Sequence, residues 1–193
     1  MSKNEVAGGS GKKWIEKNGV LLLDLPLTTG MTGDQWLKQF ETNEIRVGGW
    51  GKELVGSIVL PSTESSQRIV LLNWEYCCEF FRDWVTFCIW EFAQSHGLQL
   101  MTLEACVTLR SFLSDADLVT ADIRELVMLL REQRAPWQEQ ILDRNADGFL
   151  LSSSDEDQKE KFWTLEAFVA HPSNMWGSKD VFAFIDPTKT FAP

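Results

Sequence analysis

Hydrophobic residues recur along this chain with two spacings. Short apolar runs closed by turn formers read as strands, and apolar residues returning every three to four positions read as helices. Val20 to Leu25 is a run of the first kind, stopped by Pro26. Arg68 to Trp74 is a second, β-branched and aliphatic enough for a central strand. Phe149 to Ser152 follows the polar turn Asp143 to Gly148, and Asp180 to Asp186 is closed by Pro187. Leu126 to Leu130 fits a buried strand and equally the end of a helical pattern that starts at Ala116.

Helix starts are marked by capping residues. Thr32 with Gln35 three residues on has capping-box spacing, and Trp36, Leu37 and Phe40 then share one face. A second helix is expected near Trp50, weakened at its start by Gly48, Gly49 and Gly51. A long aromatic helix is expected from Tyr76 to Ser95, with Gly97 ending it. Thr102 caps another, with Leu103, Cys106, Val107 and Leu113 inward, and Ser114 to Asp117 signals one more. Phe162, Leu165, Phe168 and Val169 have helical spacing too, while Pro61 to Ser66 and Asp155 to Glu160 are polar connections. Strands and helices without regular βαβ alternation predict an α+β fold, a mostly antiparallel sheet of about five strands with helices packed on it. A single domain is expected over residues 14–193, after a flexible N-terminal tail at residues 1–13 that holds Gly8, Gly9, Ser10 and Gly11.

Composition narrows the class. The chain has 193 residues, 44% of them hydrophobic, which excludes an intrinsically disordered protein. Lys and Arg number 18 against 28 Asp and Glu, a net charge of −10, so no direct nucleic-acid partner is expected. The most apolar stretch, Cys77 to Ala93, is interrupted by Glu79, Arg82, Asp83 and Glu91, and is expected to be a buried helix and no membrane span. The N-terminal residues lack the apolar segment of a secretory signal, which points to the cytoplasm. Cys77, Cys78, Cys88 and Cys106 lack the CxxC spacing of zinc and redox sites and read as reduced core cysteines.

Several phrases resemble a family of small uncharacterised bacterial proteins. Thr32-Gly33-Asp34-Gln35-Trp36-Leu37-Lys38-Gln39-Phe40-Glu41 and then Arg46-Val47 look like that family's TGxxWI…LE…RV opening. Gly97-Leu98, Glu104-Ala105-Cys106, Leu109-Arg110 and Leu113 to Leu118 are similar to its central GL…EVACLLRE…SDEDL segment. Phe162-Trp163, His171-Pro172, Trp176 and Phe182-Ala183-Phe184 match its RWL…P…W…GFAF tail. The resemblance spans most of residues 20–186 and implies a bacterial protein with a strand at Leu126–Leu130. It brings no activity and no site residues. The family's IVVMHEP ending is replaced here by Leu130 to Pro136, which removes a histidine.

Candidate chemistry is sparse. His96 ends the aromatic helix and His171 precedes Pro172, positions where a ring caps free carbonyls. No GxSxG elbow or HExxH helix occurs, and no catalytic residues are expected. Gly8 to Lys13 lacks P-loop spacing. Asp143 to Leu150 matches the first eight positions of a calcium loop. Its twelfth, where glutamate supplies two oxygens, is Ser154. A hairpin turn is favoured there, and no metal or cofactor is expected. The carboxylates Asp115 and Asp117, and Asp155 to Asp157, read as helix starts and solubilising charge.

The tryptophans stand out. Trp36, Trp74, Trp84, Trp90 and Trp163 sit in core-like patterns, whereas Trp14, Trp50, Trp137 and Trp176 lie near glycine, proline or polar residues. Tryptophan is enriched at interface hot spots, which makes Trp50, Trp137 and Trp176 candidate partner-binding residues. Such rings also fold back onto their own core. The favoured function is a non-enzymatic, soluble protein acting through protein–protein contact, as an adaptor or regulatory partner. One alternative is an enzyme or small-ligand binder with a pocket near His171 or the Asp143–Asp147 loop. Another is an acidic decoy that competes with nucleic acid for a basic protein.

Overall fold

The computed structural model describes residues 13–26, 30–58, 67–73, 85–130, 146–153, 162–171, 173–177 and 180–189. Asn18 and Gly19 take φ of 51° and 78°, the turn geometry that matches strand twist, and join β1 (Ile15–Lys17) to β2 (Val20–Asp24). Thr32 then caps α1 (Gly33–Thr42), its N–H donating to the Gln35 side chain at 2.8 Å. β3 (Arg46–Val47) leads into α2 (Gly49–Gly56), and β4 (Arg68–Asn73) follows. Next come α3 (Thr86–Ser95), α4 (Leu103–Phe112) and α5 (Asp115–Thr120). The Thr102 hydroxyl caps α4 by accepting from the Ala105 N–H at 3.1 Å, and Ser114 with Asp117 caps α5. β5 (Glu125–Leu129), β6 (Ala146–Ser153), β7 (Trp163–Ala170) and β8 (Asp180–Asp186) complete the order.

All eight strands lie in one mixed sheet, ordered β1-β2-β4-β8-β5-β6-β7-β3. Five pairings are antiparallel, and two, β5 with β8 and β3 with β7, are parallel. The sheet is therefore larger than the five strands expected. The short end strands carry too few residues to show a period. The parallel neighbours meet only through long connections that local pattern does not encode.

β7 corrects a helix reading. Phe162, Leu165, Phe168 and Val169 have helical spacing, but Trp163 and Leu165 are buried on one side of the sheet and Phe168 packs on the other. That is the alternation of a strand. The aromatic helix begins at Thr86, because Val85 is extended and bridges Met175; residues 74–84 lie outside the described set. Leu126 to Leu129 resolve as strand. Lys13, at the edge of the expected tail, donates to the Phe112 carbonyl at 2.6 Å and pairs with Asp117 at 2.7 Å.

Alternation divides the core between the two sides of the sheet. One side gathers Leu23, Ile69, Leu71, Leu126, Met128, Phe149, Trp163 and Ala183 with Trp36, Phe40, Val55, Cys106 and Leu118 from α1, α2, α4 and α5. The other gathers Val70, Leu72, Val127, Leu129, Phe182 and Phe184 with Ile89, Phe92 and Ala93 of α3. β4, β5 and β8 are covered on both sides, so they read as continuous apolar runs. Among the described residues, no helix is long and apolar enough to cross a membrane.

Candidate functional site

Of the sequence-selected tryptophans, the two that are described, Trp50 and Trp176, do not converge. Trp50 stands in the first turn of α2 and is 57% exposed. Trp176 is half-buried on the opposite side of the sheet. Its indole N–H donates to the Thr86 hydroxyl at 3.0 Å, and its ring sits edge-on to Phe168 and Phe182, with centroids 5.7 and 5.3 Å away. Trp137 lies outside the described residues, as do Trp74 and Trp84. Trp14, Trp36 and Trp163 are buried. Trp90, which has a core-like pattern, is exposed beside Phe87 on the outer surface of α3.

A groove forms where α1, β3 and α2 meet. α1 supplies Asp34, Leu37, Lys38, Phe40 and Glu41, β3 and the residue before it supply Ile45, Arg46 and Val47, and α2 supplies Lys52. The volume is about 730 Å3. Phe40 is buried and Leu37, Ile45 and Val47 are half-buried, so they make an apolar floor; the five charged side chains are exposed around it. The Arg46 guanidinium lies 3.4 Å from the centroid of the Phe162 ring, a cation–π stack. The side chains of Lys38, Arg46 and Lys52 make no ion pair among the described residues.

Close approach fixes the wall that carries Trp50 and Lys52. A Cβ on Gly51 would stand 2.7 Å from the Leu165 carbonyl oxygen, so only glycine lets α2 press against β7. The Glu166 carboxylate occupies the space that a side chain at Gly48 would fill. It places negative charge beside the positive end of α2. Sequence reasoning missed the groove because its lining comes from separate elements, each of which looks like ordinary helix surface. The alternating charges at Asp34, Lys38 and Glu41 were the available signal.

The remaining sequence candidates fall elsewhere. The His96 ring stacks on Phe92 at 4.1 Å, and its Nδ1 donates to the Phe92 carbonyl at 2.9 Å, closing α3. His171 is exposed. Its Nδ1 accepts from the Ser173 hydroxyl at 2.6 Å and from the Ser173 N–H at 3.2 Å, a local turn. In the calcium-like motif, Ala146, Asp147 and Gly148 belong to β6, while residues 143–145 lie outside the described set. A Cβ on Gly148 would meet the Met128 carbonyl oxygen and the Phe168 ring at 2.8 Å. The glycine therefore serves strand packing, whereas a calcium loop needs it in a sharp turn. Among the described residues, no group of three or more His, Cys, Asp or Glu is placed to hold a metal ion. Cys106 is buried, which pushes its thiol pKa up, and Cys88 is half-buried; neither forms a disulfide. Cys77 and Cys78 lie outside the described set.

Two polar arrangements were not anticipated. Glu125 and Asp180 are in-register neighbours on the parallel strands β5 and β8. Burial raises the pKa of both, and Asp180 raises that of Glu125 further, while Arg124 opposes the rise. The Asp180 carboxylate also accepts the Gly177 N–H. On the other side of the sheet, the buried Arg110 donates to Asp115 at 2.7 Å and to the Leu113 and Trp163 carbonyls, at 3.0 and 3.3 Å. It ties α4 and α5 to the start of β7.

No protein-family model matches the chain, and neither a curated protein nor a solved structure matches it. The family resemblance is therefore carried by its quoted residues alone.

Proposed function

We propose that this protein works as a non-enzymatic adaptor or regulatory partner, binding another protein through the side of the molecule formed by α1, β3 and α2. The observation that carries this is Trp50, 57% exposed on a helix held firmly against β7. A large ring more than half exposed on a fixed support has the character of an interface hot spot. Trp176 is committed to its own core, which among the described candidates leaves Trp50, on the same helix as Lys52 of the groove. The two described histidines are spent on local turns, which favours binding over acid–base chemistry.

The groove favours one second reading. Its volume of about 730 Å3 falls in the range of small-ligand pockets, so a small-molecule binder is the alternative. Cross-linking in the cell of origin, with wild-type protein and Trp50→Ala as baits, tests the choice. A partner recovered with wild type and depleted about tenfold with the variant, roughly 1.4 kcal/mol of binding, is the expected result. Equal recovery by both baits would overturn it. A small molecule retained by the wild type in native mass spectrometry would support the alternative.

A further inference from the structure

We infer that the groove between α1, β3 and α2 takes an acidic peptide segment of a partner protein, with Arg46 gripping a carboxylate and the apolar floor holding a neighbouring side chain. This rests on the interaction reading above and names the chemistry of the partner.

Arg46 carries most of the inference. Its guanidinium is stacked at 3.4 Å on Phe162, and no described residue pairs with its charge. Stacking fixes the plane of the fork while leaving its edge free to donate. Planar forks match carboxylates with two parallel hydrogen bonds, and a fork already held in place loses little freedom on binding.

The charge around the groove departs from that of the whole chain. Acidic residues outnumber basic ones 28 to 18 overall. Around the groove three bases, Lys38, Arg46 and Lys52, face two acids, Asp34 and Glu41. Asp34 stands in the first turn of α1, where the helix dipole already favours it. Between the charges, Leu37, Ile45 and Val47 offer apolar surface to the residue beside the carboxylate. β3 is the end strand of the sheet and only two residues long, so an extended segment reaches the groove without displacing another strand.

Fluorescence anisotropy with the full-length protein tests this. The probe is a fluorescein-labelled hexapeptide of alternating glutamate and leucine, and its control replaces glutamate with glutamine. The glutamate peptide is expected to bind about tenfold more tightly than the control, a gap that closes as salt is raised. Arg46→Lys keeps the charge and loses the fork, and is expected to remove about tenfold of that affinity. Phe162→Leu keeps Arg46 and loses the stack, and is expected to weaken binding severalfold. Circular dichroism melts matching wild type show that each variant folds.

Equal affinity for the two peptides overturns the inference, as does an Arg46→Lys protein that binds like wild type. Displacement of the peptide by inorganic phosphate or by octanoate at equal concentration overturns it in favour of a free anion. The cross-linking experiment at Trp50 reads the broader proposal separately. A partner lost with Trp50→Ala alongside indifferent hexapeptides would leave the adaptor reading standing and remove this one.

Discussion

The two sides of the sheet treat a tryptophan near glycine and polar residues in opposite ways. Trp176 lies on the α3 side, where Phe168 and Phe182 offer ring edges and Thr86 offers a hydroxyl to its indole. Trp50 lies on the four-helix side, on α2, whose buried Gly51 and Val55 face the sheet. The local sequences look alike, Gly-Gly-Trp-Gly in one case and Asn-Met-Trp-Gly in the other. What differs is the burial of each ring: Trp176 is half-buried against rings from β7 and β8, whereas Trp50 is 57% exposed.

Truncating Trp176 is the strongest way to break this contrast. Trp176→Ala is expected to cost about 3 kcal/mol, because it leaves Phe168 and Phe182 facing a void and the Thr86 hydroxyl without its donor. Chemical denaturation reads the loss, and a cost below about 1 kcal/mol would show that the ring is peripheral. Gly51→Ala comes next, at about 2 kcal/mol, since the new Cβ meets the Leu165 backbone and α2 must lift. If α2 is the support that presents Trp50, this variant also loses the cross-linked partner.

Glu125→Gln is smaller and opposite in sign. Glu125 and Asp180 both hold protons more firmly in the folded chain than in the unfolded one. Their contribution is therefore greatest below the ordinary carboxylate range and falls as pH rises through it. Removing one partner should stabilise the protein near pH 7 and flatten the profile between about pH 4 and 7. Glu125 is half-buried, so water screens part of the repulsion and the gain stays under about 1 kcal/mol. Melting midpoints across that range check it, and a variant profile as steep as wild type would refute the coupling. Trp50→Ala closes the series with the least effect on stability, within about 0.5 kcal/mol, against its expected effect on partner recovery.

Much of the fold was legible where a single element carried its own signal. Thr32 with Gln35, Thr102, and Ser114 with Asp117 marked three helix starts correctly. Arg68 to Asn73 announced itself by its β-branched and aliphatic interior, and Asp180 to Asp186 by partial alternation stopped at Pro187. β1 was missed although Asn18-Gly19 is a strong hairpin signal, because its three residues are all exposed. β7 was misread because an apolar set spread over both sides of a strand also fits a helix. The groove was least legible of all. Arg46 and Phe162 are far apart in sequence and meet only because β3 pairs with β7, in parallel and from the far end of the sheet.

The position of β8 has a consequence for assembly. It lies between β4 and β5, bonded to the first in antiparallel register and to the second in parallel. Without β8 the strand order falls into two unjoined pieces, β1-β2-β4 and β5-β6-β7-β3. Each exposes an unpaired backbone edge flanked by apolar side chains, which another chain or a chaperone can cover. Closure of the sheet waits for that one segment to insert between them, so β8 is the strand whose arrival joins the two halves.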